Sequence, residues 1–114
     1  MKKYGIVITA RAEKDLRDIF EYIAYDLLSP EYAIGQLDRL EKAILKLDTF
    51  PERNALYASG DWEKRNLRIM SVDRYCVFYI PDREKMTVTI IRIIYSGRDI
   101  DAQLREDTES DNES

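Results

Sequence analysis

Tyr75-Cys76-Val77-Phe78-Tyr79-Ile80 and Thr87-Val88-Thr89-Ile90-Ile91-Arg92-Ile93-Ile94-Tyr95 are two apolar runs separated by the polar stretch Pro81 to Met86. β-Branched and aromatic residues dominate both, so they read as strands joined by a hairpin turn. The second run is the longest and most apolar of the chain. Apolar residues on both of its faces place it centrally in a sheet. Just upstream, Asn66 to Val72 alternates, with Leu67 and Ile69 on one face and Arg68 and Met70 on the other. That predicts a third strand. At the other end of the chain, Tyr4 to Thr9 alternates around Ile6, Val7 and Ile8 and predicts a fourth.

Between the first strand and the rest lie two amphipathic helices. Leu16, Ile19, Phe20, Ile23 and Leu27 share one helical face, with Thr9 as the expected N-cap. Glu13, Asp15 and Asp18 suit the positive end of that helix's dipole. Ser29-Pro30 ends it and starts another, since Pro is tolerated in the first turn. Ala33, Leu37, Leu40, Ile44 and Leu47 make the second stripe, and Phe50-Pro51 closes it. Residues 51–63 lack periodicity and read as a loop. Asp99 to Arg105 predicts a short helix capped by Asp99, with Ile100 and Leu104 inward.

The order β-α-α-β-β-β predicts an α+β domain of two layers. A helical hairpin packs on one face of an antiparallel sheet, and a short helix follows at the C-terminal end. The opposite sheet face is expected to be open or concave. A single domain over residues 1–106 is expected, with residues 107–114 as a disordered acidic tail.

Composition excludes several chemistries. The chain has 114 residues, no histidine and one cysteine, Cys76. Ser-His-Asp, Cys-His and Cys/His-zinc machinery therefore cannot be assembled within it. Neither a metal nor a cofactor is expected. With no disulfide within the chain and no run near the length of a membrane span, a reducing, cytoplasmic setting and no membrane partner are expected.

The formal net charge of −4 hides two asymmetries. Residues 107–114 carry Asp107, Glu109, Asp111 and Glu113 and no cation, so the remaining body is neutral. Within that body, residues 11–52 hold 6 basic and 10 acidic side chains, whereas residues 64–98 hold 8 basic and 3 acidic ones. The later excess permits a basic patch facing nucleic acid or an acidic protein.

These residues together resemble the RelE/ParE superfamily of toxins from bacterial type II toxin–antitoxin systems. The resemblance spans about residues 4–104. It is carried by Tyr4-x-Ile6-x-Ile8-Thr9 followed by Ala12-x-x-Asp15-Leu16-x-x-Ile19-x-x-Tyr22-Ile23. Ser29-Pro30 with Ala33, then Leu47 and Phe50-Pro51, continue it. Arg68, followed by Tyr75-x-Val77-Phe78-Tyr79, and Ile91-Arg92-Ile93-Ile94-Tyr95-x-x-Arg98-Asp99 complete it. The resemblance implies a cognate antitoxin as partner, with a homodimer or a toxin–antitoxin heterotetramer as assembly. It also implies one of two targets: DNA gyrase, poisoned without chemistry by the toxin, or mRNA in the ribosome, cut by an endonuclease without metal. A third reading is a relative that binds antitoxin and has no toxicity.

Cleavage requires a base for the ribose 2′-hydroxyl, cations for the phosphorane and a donor for the leaving oxygen. The resemblance implies Arg68, Arg92, Tyr95 and Arg98 as the catalytic set in that case, with Glu63 or Asp73 as candidate bases. Two features turn the reading toward the ParE branch. Cys76 stands where the nuclease branch often has arginine, and the chain is acidic where ribosome-docking members are basic.

Each candidate also has a plainer reading. Arg68 suits a solvent-facing edge strand. Arg92 lies inside an apolar strand, which is costly unless it is paired with an acidic helix residue or set at an open face. Tyr95 and Arg98 suit a capping turn around Gly97, with Arg98 bonded to Asp99 or to the acidic tail. Tyr22, Tyr25 and Tyr32 read as core or antitoxin contacts. Trp62 reads as a loop anchor or a base-stacking residue.

Overall fold

β1 (Gly5–Ile8) leads into α1 (Ala10–Glu21), and α2 (Pro30–Leu45) runs back against it in the computed structural model, which describes residues 3–105. After a stretch holding a 3-10 turn at Pro51–Arg53 and the four-residue α3 (Asp61–Lys64) come β2 (Arg68–Val72), β3 (Tyr75–Asp82) and β4 (Thr87–Tyr95). Residues 100–105 form α4. The expected acidic tail at 107–114 lies outside the described residues.

The strand order is β1-β4-β3-β2, with β4 inside the sheet as its apolar faces require. β2, β3 and β4 pair antiparallel, but β1 lies parallel to β4, so the sheet is mixed rather than wholly antiparallel. The helical hairpin causes this. It returns the chain to where β1 began, Tyr4 N donating to Asp48 O at 2.8 Å. β2 therefore sets out along β1's direction, and after two reversals β4 shares it.

Thr9 caps α1 as expected. Its Oγ1 accepts from Ala12 N at 3.1 Å and donates to Ile90 O at 2.8 Å, so one hydroxyl both starts the helix and ties it to the central strand. Ala12 of α1, Leu40 and Ile44 of α2 and Leu47 beyond it meet Met70, Val77, Tyr79, Val88, Ile90 and Ile93 of the sheet in the main core. Leu27 departs from the expected stripe and is 53% exposed. The reason is local: Tyr22–Asp26 form a π-helical turn, with Leu27 N donating to Tyr22 O at 3.0 Å. The extra residue per turn rotates Leu27 off the buried face.

The second face of the sheet is not open. Leu67, Cys76, Phe78, Ile94 and Leu104 form a further core there, flanked by Tyr57, Trp62, Ile69 and Ile100. A strand apolar on both faces needs both covered, and residues 54–67 with α4 supply the second cover. The same stretch shields the β2 edge, with Tyr57 N bonded to Leu67 O and Ile69 N to Ala55 O.

α4 is held by two anchors. Asp99 Oδ1 accepts from Ala102 N at 3.2 Å, the expected cap. Asp101 Oδ1 accepts from Tyr57 Oη at 2.5 Å and from Ser59 Oγ at 3.0 Å. These bonds hold the Asp101 carboxyl below its ordinary pKa of 3.8, and burial together with the nearby carboxylate pushes the Tyr57 phenol up to about 12. The signs are opposite. The Asp101 contribution is present above its ordinary pKa and is lost as pH falls through its lower folded value. The Tyr57 contribution is complete below pH 10 and is lost as pH rises toward about 12. Urea midpoints measured across pH should therefore fall at both ends, and Tyr57→Phe should flatten the alkaline limb. An unchanged alkaline limb would refute the anchor.

Candidate functional site

β1 stops opposite Ile90, so the outer edge of β4 beyond it has no strand partner among the described residues. α1 continues along that edge. Asp15, buried, accepts from Ile93 N at 3.0 Å and replaces the missing ladder bond with a carboxylate. Opposite this point the β3–β4 register shifts: Phe78 pairs with Arg92 and Tyr79 with Ile90, leaving Ile91 as the extra residue of a bulge. Here Arg92 is 2% exposed. It meets Asp15 through two nitrogens, Nε to Oδ2 at 2.8 Å and Nη2 to Oδ1 at 3.2 Å, and Nη1 donates to Gln103 O at 2.9 Å. The arginine thus joins α1, β4 and α4 at one buried point.

Just outside this pair lies an open groove of about 820 Å³. One wall is the end of α1 and the π-helical turn, with Ile19, Tyr22, Ile23 and Leu27. The other is the start of α2, with Tyr32 and Gln36, facing the β2–β3 turn and the end of β4. Arg11, Arg74 and Arg98 reach it from three different segments.

The positions of these groups follow from the chain. Asp73 adopts φ 55°, the left-handed conformation of a tight turn, and its carboxylate accepts from Gln36 Nε2 at 2.9 Å and Arg39 Nε at 2.8 Å. These partners hold the Asp73 carboxyl below its ordinary range. The clamp fixes the turn against α2 and presents Arg74, whose carbonyl accepts from Ser96 N at 2.9 Å. Tyr75 and Tyr95 meet edge to face at 5.8 Å, and burial pushes the Tyr75 phenol up. Gly97 lies under the Tyr95 ring, and a Cβ there would come within 2.8 Å of it. Arg98 N donates to Tyr95 O at 3.0 Å, closing the turn.

The groove's charge is one-sided. Asp15 is engaged by Arg92, and Asp18 by Lys14 at 2.8 Å. Arg11 Nε is 3.8 Å from Asp15 Oδ1 and is buried without a hydrogen-bond partner among the described residues. Arg74 and Arg98 have no carboxylate within ion-pair distance among the described residues. Three guanidinium groups beside four tyrosines can hold an anion and stack on planar groups. Among the described residues no three histidine, cysteine, aspartate or glutamate side chains gather to hold a metal ion.

Of the residues singled out in the sequence, Arg92, Tyr95 and Arg98 line the groove and Arg68 does not. Arg68 Nη1 donates to Glu52 O at 2.9 Å and Asn54 O at 2.7 Å, pinning the covering loop to β2. Asp73 lies in the turn already described, and Glu63 on α3 is exposed. Trp62 anchors the second core, with the Arg65 guanidinium 4.4 Å above its ring. Cys76 is buried, and burial raises its thiol pKa. Arg11, Arg74 and Tyr75 escaped sequence reading. Arg74 had one usable signal, its place in the two-residue gap between two strands. Tyr22 and Tyr32 wall the groove and are 53% and 57% exposed, so they are not core.

Residues 6–100 match the family model described as the ParE toxin of the type II toxin–antitoxin system parDE. Among curated protein sequences none matches the chain. Solved structures are similar in fold. The chromosomal ParDE toxin–antitoxin system of P. aeruginosa aligns with a TM-score of 0.67 at 17% identity, covering 82% of this chain and 96% of that one. The RelBE2 toxin–antitoxin complex of Mycobacterium tuberculosis gives 0.59 at 21% identity, covering 83% and 93%. The intact E. coli RelBE complex gives 0.57 at 18% identity, covering 83% and 99%. At these identities the structural likeness is one of fold, whereas the family model covers most of the chain. With β1 from Ile6 onward, the helical hairpin and the strands through β4 inside the matched span, the chain belongs to the ParE toxin family of type II toxin–antitoxin systems.

Proposed function

We propose that this toxin arrests growth by binding and poisoning DNA gyrase, and that a cognate antitoxin neutralises it in the cytoplasm. One observation carries the non-enzymatic reading. Two of the four groups that RNA cleavage would call on are already committed: Arg92 to a buried ion pair with Asp15, and Arg68 to two backbone carbonyls. A cation locked into the fold is poorly placed to follow developing phosphorane charge. The antitoxin reading is supported by apolar side chains standing in water on the helical hairpin, Leu28 at 82% exposed and Ile34 at 62%.

A second reading, an endoribonuclease acting in the ribosome, keeps some support because Arg92, Tyr95 and Arg98 line one groove. A pulse-label experiment separates the two. After induction without antitoxin, thymidine and methionine incorporation are followed over the first minutes. Gyrase poisoning requires thymidine uptake to fall first. An earlier fall in methionine uptake would move the target to translation, and Arg98→Ala should then abolish mRNA cutting.

A further inference from the structure

We propose that the arginine-lined groove binds a free nucleoside di- or triphosphate, with its phosphates on the arginines and its base among the tyrosines. The phosphate end stands on three cations that the fold leaves uncommitted. Arg74 and Arg98 are exposed and have no carboxylate within ion-pair distance among the described residues. Arg11 Nε is shut from solvent with no hydrogen-bond partner among them. A guanidinium nitrogen in that state is a donor awaiting an acceptor. Arg92, also at the groove, is already neutralised by Asp15. The base end is aromatic. Tyr75 and Tyr95 hold each other edge to face at 5.8 Å, and Gly97 lies beneath the Tyr95 ring, so both rings are fixed before a ligand arrives. Tyr22 and Tyr32 stand on the helical walls, 53% and 57% exposed. Any planar base can stack on such rings.

Two observations select a small ligand over a nucleic-acid strand. The groove holds about 820 Å³, within the roughly 300–1,000 Å³ of sites that enclose one small ligand. The hairpin that walls it is also acidic. From residue 18 to residue 38 the chain carries Asp18, Glu21, Asp26, Glu31 and Asp38 and no cation. A strand laid through the groove would bring a charged phosphate with every nucleotide along that wall, and repulsion would oppose it. A free nucleotide gathers its charge at one end, on the arginines. It offers an uncharged ring to the tyrosines of the acidic hairpin. This ligand is separate from the toxin's target and does not rest on the gyrase reading.

The test is calorimetric titration of the full chain with ATP at about 0.1 M salt. A Kd on the order of 10–100 μM is expected, weakening tenfold or more at about 0.5 M salt. Adenosine and tripolyphosphate, the two halves of the ligand, should each bind at least tenfold more weakly than ATP. Arg74→Gln with Arg98→Gln should weaken ATP tenfold or more. Tyr22→Ala with Tyr32→Ala should weaken ATP fivefold or more and leave tripolyphosphate unchanged. All four side chains are exposed, so both variants should keep the parent Tm. Backbone amides map the site on the unaltered chain. Those of Tyr22, Arg74 and Arg98 should shift when ATP is added, and those of Leu56 and Lys85 should not. No binding at about 1 mM ATP would overturn the proposal. So would tripolyphosphate matching ATP, because the site would then take phosphate alone. A single-stranded oligonucleotide binding tenfold tighter than ATP would also overturn it and assign the groove to nucleic acid.

Discussion

Asp15→Ala should cost about 3–5 kcal/mol of folding stability, the loss typical of removing one partner from a buried ion pair. In a domain this size that is about 15–25 °C in Tm and much of the total stability. The reason is the number of groups Asp15 serves. It receives two nitrogens of Arg92 and the backbone N–H of Ile93, all three bonds inside the protein. Without the carboxylate, Arg92 is a buried charge with only Gln103 O as partner, and Ile93 N–H has no acceptor. The pair's net worth is a separate quantity. Asp15→Leu with Arg92→Met removes both charges and should recover part of the loss. It still orphans Ile93 N–H and Gln103 O, which costs about 1–3 kcal/mol. Thermal denaturation of the two single variants and the double variant decides this. A loss below about 1 kcal/mol for Asp15→Ala would mean that water reaches the pair.

That buried pair marks the limit of what the sequence discloses. The strands, the two helical stripes, the Thr9 cap and the Asp99 cap were legible because each is written in local spacing or in a single capping side chain. Arg92 was legible as a problem: an arginine in an apolar strand must be paired or open. Which carboxylate pairs with it was not legible. Asp15 sits in the first half of a helix, where acidic residues are ordinary, and only the early end of β1 and the bulge at Ile91 bring it against Arg92. The covered second face was missed for a related reason. Its lid comes from Tyr57, Trp62 and Leu67, scattered through a stretch without periodicity, and periodicity is the primary signal a strand or helix leaves in sequence. The groove was half legible. Tyr95 and Arg98 end a recognisable strand. Arg74, from the turn before β3, and Arg11, from the start of α1, reach the same place only after the fold closes.

Phe78→Ala is expected to cost about 3–5 kcal/mol, as large as a cavity made in the main core. On the expectation of an open sheet face the same change would be nearly neutral, so the two views of that face differ by most of the domain's stability. Phe78 is fully buried, takes the Tyr57 ring edge-on at 5.3 Å and packs in one cluster with Leu67, Cys76, Ile94 and Leu104. Its removal should therefore do more than lower stability uniformly. Leu104 is the buried residue of α4, and Tyr57 carries the hydroxyl that anchors Asp101. Both lose their backing at once, so α4 should open before the rest of the fold. Amide exchange should show Gln103 and Leu104 losing protection by a larger factor than Val88 or Ile90, which belong to the main core. Leu40→Ala is the control. It should cost about 2–5 kcal/mol while leaving that ratio unchanged. Equal loss of protection in both variants would mean that the two cores open as one unit. If α4 opens first, Gln103 O leaves Arg92 in the same event, and the second core sets the shape of the groove from the far side of the sheet.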